Sequence, residues 1–161
     1  MGWYSASVVP PYAPYHPLWP TLGARLAAYI YIAEAENLEV ALYGYSTLLL
    51  ESTPEYWFLY RYFEAANLDH QHELIDLYGG GPIDGYQLVR LKAELVNAKI
   101  DTEAKPQAWK VLTGWDGEKP SLETEIWEEA DKEKVISIIE SLNSMIDECN
   151  NNGLVLVCSG D

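Results

Sequence analysis

Residues 21–50 read TLGARLAAYIYIAEAENLEVALYGYSTLLL, and how this stretch folds decides the architecture of the chain. Apolar residues recur at Leu22, Leu26, Tyr29 or Ile30, Ala33, Val40, Tyr43, Thr47 and Leu50, steps of three and four that place them on one helical face. The spacing predicts a helix, bent or divided near Glu36 and Asn37 or at Gly44. With this stretch helical, strands are left only to the two ends of the chain.

On the C-terminal side, Ser52-Thr53-Pro54-Glu55 offers a cap, a proline at the first helical position and an acid in the first turn. A second helix is therefore expected from Pro54, ending at Gly79. The run Gly79-Gly80-Gly81-Pro82 reads as a loop, and Asp84 with Gln87 reads as a capping box for a third helix over about 85–98. Pro106 is expected to open a short helical piece that stops at Gly114, with Trp115-Asp116-Gly117 as a turn and Ser121 as the next cap. After Asp131, the positions Val135, Ile138, Ile139, Leu142, Ile146 and Cys149 give the clearest amphipathic helix, closed by Asn150-Asn151-Asn152-Gly153.

The last apolar run, Leu154-Val155-Leu156-Val157-Cys158, is of strand type and needs a partner for its backbone groups. That partner is expected from Ser5 to Val9, from the region of Val111, or from another chain. The resulting expectation is a mainly α fold, a helical bundle of four or five helices with a small β element from the chain termini. In domain terms it is an extended arm over 1–20 followed by a single helical domain over 21–161 that ends in a short strand.

In the arm, Pro11, Pro14, Pro17 and Pro20 recur every three residues, the period of a polyproline II helix. The prolines then line one edge and Tyr12, Tyr15 and Leu18 another, a stiff element suited to docking. Trp3, Tyr4, Tyr12, Tyr15, Leu18 and Trp19 are the candidate partner-binding residues. Tyr56-Trp57-Phe58-Leu59-Tyr60-Arg61-Tyr62-Phe63 places aromatics on every side of a helix, which is either a buried central helix or one with a side turned to another protein.

Composition bounds the function. The chain has 161 residues, 48% of them apolar and 22% charged, in keeping with one packed globular domain. A net charge of -15 argues against direct contact with nucleic acid or an anionic membrane surface. No apolar run is long enough to span a bilayer, and the first 24 residues, broken by prolines, lack the pattern of a secretory signal peptide. Two cysteines, Cys149 and Cys158, without a glycosylation sequon favour an intracellular setting and buried free thiols.

The residue patterns that carry chemistry are incomplete. Asp69-His70-Gln71-His72-Glu73 could offer metal ligands, but the only other histidine, His16, lies in the arm, so no second helix completes a set. Gly44-Tyr45-Ser46-Thr47-Leu48 lacks the second glycine of a nucleophile elbow, and Gly79 to Gly81 lacks the following Lys-Ser/Thr of a phosphate cradle. Glu123, Glu125, Glu128, Glu129, Asp131 and Glu133 belong to a segment, 116–133, with a net charge of -6, which reads as a solvated face. No catalytic, cofactor-binding or metal residues are expected.

These features point to a non-catalytic, acidic protein–protein interaction subunit of a larger assembly, docking through its arm, with other protein subunits or copies of itself as partners. A virion neck, connector or assembly component is one such protein, so the setting is intracellular or a virion. The alternative is an acidic inhibitor that mimics nucleic acid in a basic cleft, and the third is a metal-dependent helical-bundle enzyme.

Overall fold

A computed structural model describes residues 26–67, 74–116 and 124–161. Among them the expected bundle is not formed: three helices combine with six strands in two antiparallel sheets. The correction begins in the stretch read as helix. Residues 27–33 form strand β1 (Ala27–Ala33) and residues 48–51 form β2 (Leu48–Glu51), joined by a long turn-rich connection.

The sequence AAYIYIA also alternates with a period of two. Ala28, Ile30 and Ile32 enter the main core, while Tyr31 and Ala33 join a small cluster with Val155 and Val157 on the other side. Apolar on both faces although Tyr29 is exposed, such a strand reads as a nearly continuous apolar run, so steps of three and four can be picked out of it as readily. The expected weak points survive as features of the connection: Glu34 and Asn37 form an isolated bridge, and Gly44 has φ 87°. Leu42 N–H donates to Ile32 O at 2.8 Å, and the Tyr31 hydroxyl donates to Leu38 O at 2.8 Å, tying the connection to the sheet.

Helix α1 (Pro54–Ala66) starts as expected, with Thr53 as N-cap accepting from Tyr56 N–H at 3.4 Å and proline in the first turn. It ends earlier than Gly79, because the backbone turns extended at Asn67 (φ -83°, ψ 108°). Its aromatics Tyr56, Trp57, Phe58, Tyr60, Tyr62 and Phe63 are all buried, which settles them as the core of the molecule. Strand β3 (Pro82–Ile83) and helix α2 (Gly85–Glu103) follow. Asp84 sits at the N-cap without the side-chain bond of a capping box; the turn closes instead through Gln87 N–H to Asp84 O at 3.0 Å.

Beyond α2 the helical piece expected from Pro106 and the helical stretch expected after Ser121 are instead a hairpin, β4 (Ala108–Asp116) and β5 (Thr124–Asp131). Trp109 pairs with Ala130 and Leu112 with Trp127, with a bulge between Leu112 and Gly114. Trp115 and Asp116 are therefore strand, while Gly117 and Ser121 lie outside the described residues. Helix α3 (Lys132–Asn152) matches the amphipathic reading: Asp131 caps it by accepting from Glu133 and Lys134 N–H, and Gly153 ends it at φ 64°. The buried Glu55 fixes this junction from α1, accepting Asp131 N–H at 3.0 Å.

The C-terminal strand, β6 (Val155–Gly160), lies inside the larger sheet, whose order is β2-β1-β6-β3. Its partners are β1 and β3 rather than the region of Val111, one of the three options, and Ser5 to Val9 lie outside the described residues. The segment before β3 extends the pairing: Cys158 N–H donates to Gly81 O at 3.0 Å, Gly160 N–H to Gly79 O at 2.7 Å and Asp161 N–H to Leu77 O at 3.0 Å. On the core face of the sheet α3 packs against β1 and β6, α1 joins the same core and lies against the hairpin, and α2 lies against both helices.

Cys149 and Cys158 are buried free thiols. Burial pushes each up from 9.0 to about 11, with the Glu148 carboxylate adding to the shift at Cys149 and a hydrogen bond to the Asp76 carbonyl opposing it at Cys158. The fold favours their neutral forms, so this contribution is full below pH 9 and is lost as pH rises through about 11. We expect the urea midpoint to fall across that window. Iodoacetamide should label both thiols slowly in native protein and rapidly in denaturant.

Candidate functional site

The helix start at Pro54 determines which side chains α1 turns toward the hairpin: Trp57, Phe58 and Arg61 border a cavity of about 360 Å³. Trp109, Lys110, Val111 and Leu112 from β4, Glu125 and Trp127 from β5, and Lys105 from the α2–β4 link complete it. Such a volume lies within the usual range for small ligands or a single inserted side chain. Lys132 holds the link in place, its ammonium donating to Glu103 O and Lys105 O, each at 2.7 Å.

The wall is largely aromatic. Phe58 and Trp109 meet edge to face with centroids 4.9 Å apart. The Arg61 guanidinium lies 5.1 Å from the Phe58 ring centre and 4.7 Å from that of Tyr62, and it pairs with Asp101 at 2.9 Å. Tyr62 also donates to Asp101; burial first, then this bond to a carboxylate, pushes its hydroxyl up to about 12.

The three indole N–H groups of the lining differ in one respect. Trp57 donates to Ser52 Oγ at 3.1 Å and Trp127 to Glu125 Oε2 at 2.9 Å. Trp109 Nε1 is buried and has no acceptor among the described residues. A buried donor without a partner costs about 1–3 kcal/mol, which an incoming carbonyl or carboxylate would recover. Lys105 and Lys110 border the cavity beside the carboxylate of Glu125, while the charge of Arg61 is met by Asp101. The arrangement can hold an apolar or aromatic group that carries an acceptor.

None of the residues singled out in the sequence for partner binding can be placed: Trp3, Tyr4, Tyr12, Tyr15, Leu18 and Trp19 lie outside the described residues, as do His16, Asp69, His70, His72, Glu73 and Glu123. Among the described residues no group of three potential ligands is arranged to hold a metal ion. Glu125, Glu128 and Glu129 are exposed, as a solvated face requires, but on a strand, and Glu125 borders the cavity. The lining itself was missed because Trp109 to Leu112 were read as helix. The available signal is the placement of apolar Trp109 and Val111 on either side of Lys110.

Comparison with family models, curated proteins and solved structures gives no match to this chain.

Proposed function

We propose that this chain is a non-catalytic interaction subunit of a larger protein assembly, and that the cavity between α1 and the hairpin receives an anchor side chain from a partner. The observation that carries the reading is the unpartnered Trp109 N–H in an aromatic wall flanked by Lys105, Lys110 and Arg61. Tryptophan and arginine dominate binding energy at protein interfaces, where rigid aromatics lose little entropy on contact. The partner segment would present an apolar or aromatic residue beside a carboxylate. The arm, with Trp3, Tyr4, Tyr12, Tyr15, Leu18 and Trp19, is a second docking element in this proposal. Two buried free thiols fit an intracellular or virion setting, and among the described residues no helix is long and apolar enough to cross a membrane.

The test uses the full chain carrying a photo-crosslinking residue in place of Trp127, in its native host. One partner should be captured at this position, and Trp109→Ala or Lys105→Glu with Lys110→Glu should weaken the purified complex at least about tenfold. Trp109→Phe, which keeps the ring contact and removes the N–H, should give an intermediate loss. Unchanged binding by folded variants would refute the role of the cavity. Deletion of residues 1–19 tests the arm in the same assay.

The exposed Glu125, Glu128 and Glu129 of β5 favour a second reading, an acidic inhibitor that occupies a basic cleft. In that case Glu128→Lys with Glu129→Lys would abolish binding and affinity would fall steeply with salt.

A further inference from the structure

Helix α2 carries two apolar stripes. Leu88, Leu91, Leu95, Ala98 and Thr102 are buried, in contact with the rest of the core. The second stripe, Tyr86, Val89, Ala93, Val96 and Ile100, also steps by three and four and faces outward: Tyr86 is 65% exposed, Val89 59%, Val96 52% and Ile100 60%, with Ala93 exposed between them. A helix with solvent on its outer side needs only the first stripe. The second is the seam of a helix pair that lacks its other member.

We propose that α2 pairs with α2 of a second copy, antiparallel, with Ala93 at the two-fold axis. The first argument is the order of side-chain sizes. The stripe is smallest at Ala93, intermediate at Val89 and Val96, and largest at Tyr86 and Ile100, near mirror images about the centre. Two helices that cross are closest at the crossing point and diverge on either side, so a small residue belongs at the centre and larger ones further out. Under a two-fold axis Tyr86 meets Ile100 of the other copy and Val89 meets Val96, and the same patch serves both subunits. An unrelated partner would impose no such symmetry.

The second argument is charge. Two molecules of net charge -15 repel, but α2 itself adds no net charge: Arg90, Lys92 and Lys99 equal Glu94, Asp101 and Glu103 in number. The basic flanks are engaged at home, Lys92 with Asp147 and Lys99 with Glu140 of α3, and Arg90 with Ala65 O of α1. The seam is thus apolar between borders of mixed charge. From Tyr86 to Ile100 it is about 21 Å long and about 10 Å wide. That is well short of the roughly 800 Å² per partner of a standard interface, so the dimer is weak. Salt, which screens the general repulsion, should tighten it. The surface is separate from the cavity and does not depend on the function proposed for it.

Sedimentation equilibrium of the full chain from about 10 µM to about 1 mM should show monomer passing to dimer. Val89→Glu with Val96→Glu should weaken the association at least about tenfold while circular dichroism and the unfolding midpoint stay unchanged, since both residues are exposed. Geometry is read by mild oxidation of single-cysteine additions. Ala93→Cys should form a disulfide-linked dimer alone. Tyr86→Cys and Ile100→Cys should do so only when mixed, because like residues lie about 21 Å apart in the antiparallel pair. The native thiols are buried and should not interfere. A monomer at every concentration, a dimer indifferent to the double glutamate variant, or crosslinking of Tyr86→Cys with itself would overturn the proposal.

Discussion

Leu156→Asp is expected to abolish folding. Leu156 is fully buried in β6 and sits directly between two strands, paired with Ile32 of β1 and Ile83 of β3. A carboxylate at this point faces the main core, where Ile30, Ile139 and Leu142 are also fully buried. Placing a charge there without a partner costs more than about 4 kcal/mol, a large share of the 5–15 kcal/mol that stabilises an ordinary domain. The carboxyl would have to stay protonated, and the lost leucine contacts would add to the cost. Ser159→Asp is the matched control: it lies in the same strand, opposite Tyr29, and is exposed, so its effect should be within about 0.5 kcal/mol. Urea titrations of the two variants followed by circular dichroism check the contrast. A cooperative native-like transition for Leu156→Asp would contradict the central placement of β6.

Gly80→Ala should be nearly as damaging, though it adds only one methyl group. Gly80 has φ 121°, a conformation that residues with a Cβ rarely adopt. A Cβ there would also stand 2.7 Å from the Cys158 carbonyl oxygen and 3.0 Å from its sulfur. The obstructing oxygen belongs to the backbone of β6, which is hydrogen-bonded on both sides and cannot yield without shifting the sheet. Backbone strain of about 1–3 kcal/mol and overpacking of similar size point to a loss of about 3 kcal/mol or more. Gly44→Ala separates the two causes. Gly44 has φ 87° but nothing within 4 Å of its would-be Cβ, so only the strain should appear, about 1 kcal/mol. Equal losses at the two positions would show that the close approach at Cys158 contributes nothing.

The parts of the fold legible in the sequence are those fixed by neighbouring residues. Thr53-Pro54 starts α1, Asp131 caps α3 and Gly153 ends it, each through contacts within a turn of the chain. The parts that were misread depend on distant partners. Ala27 to Ala33 satisfy a helical and a strand period alike, and the decision falls to β6, more than a hundred residues further on. Pro106 and Gly114 are compatible with the ends of a short helix, but the pairing of Trp109 with Ala130 and Leu112 with Trp127 makes the segment a strand. The cavity inherits this difficulty. Phe58, Lys105, Trp109 and Trp127 become neighbours only after the hairpin has closed against α1, so no local spacing announces them. By contrast, the aromatic density of Tyr56 to Phe63 is visible, and its resolution as core follows from the cover that α2, α3 and the hairpin give α1.

The placement of β6 also sets an order of events during translation. Strands β1 and β3 flank it and do not pair with each other, so they acquire a common neighbour only when residues 155–160 have been synthesised and have left the ribosome. Until then the nascent chain holds a β1–β2 hairpin with an open edge and an unclosed apolar face. Isolated hairpins are marginal in water, and such edges recruit other chains. The sheet is therefore completed only after β6 has emerged, in one long-range step of high loop-closure entropy that joins β1 to a strand more than a hundred residues further on. A growing chain of this kind is a natural client for a holding chaperone, and pausing the ribosome before Val155 should increase the fraction that aggregates.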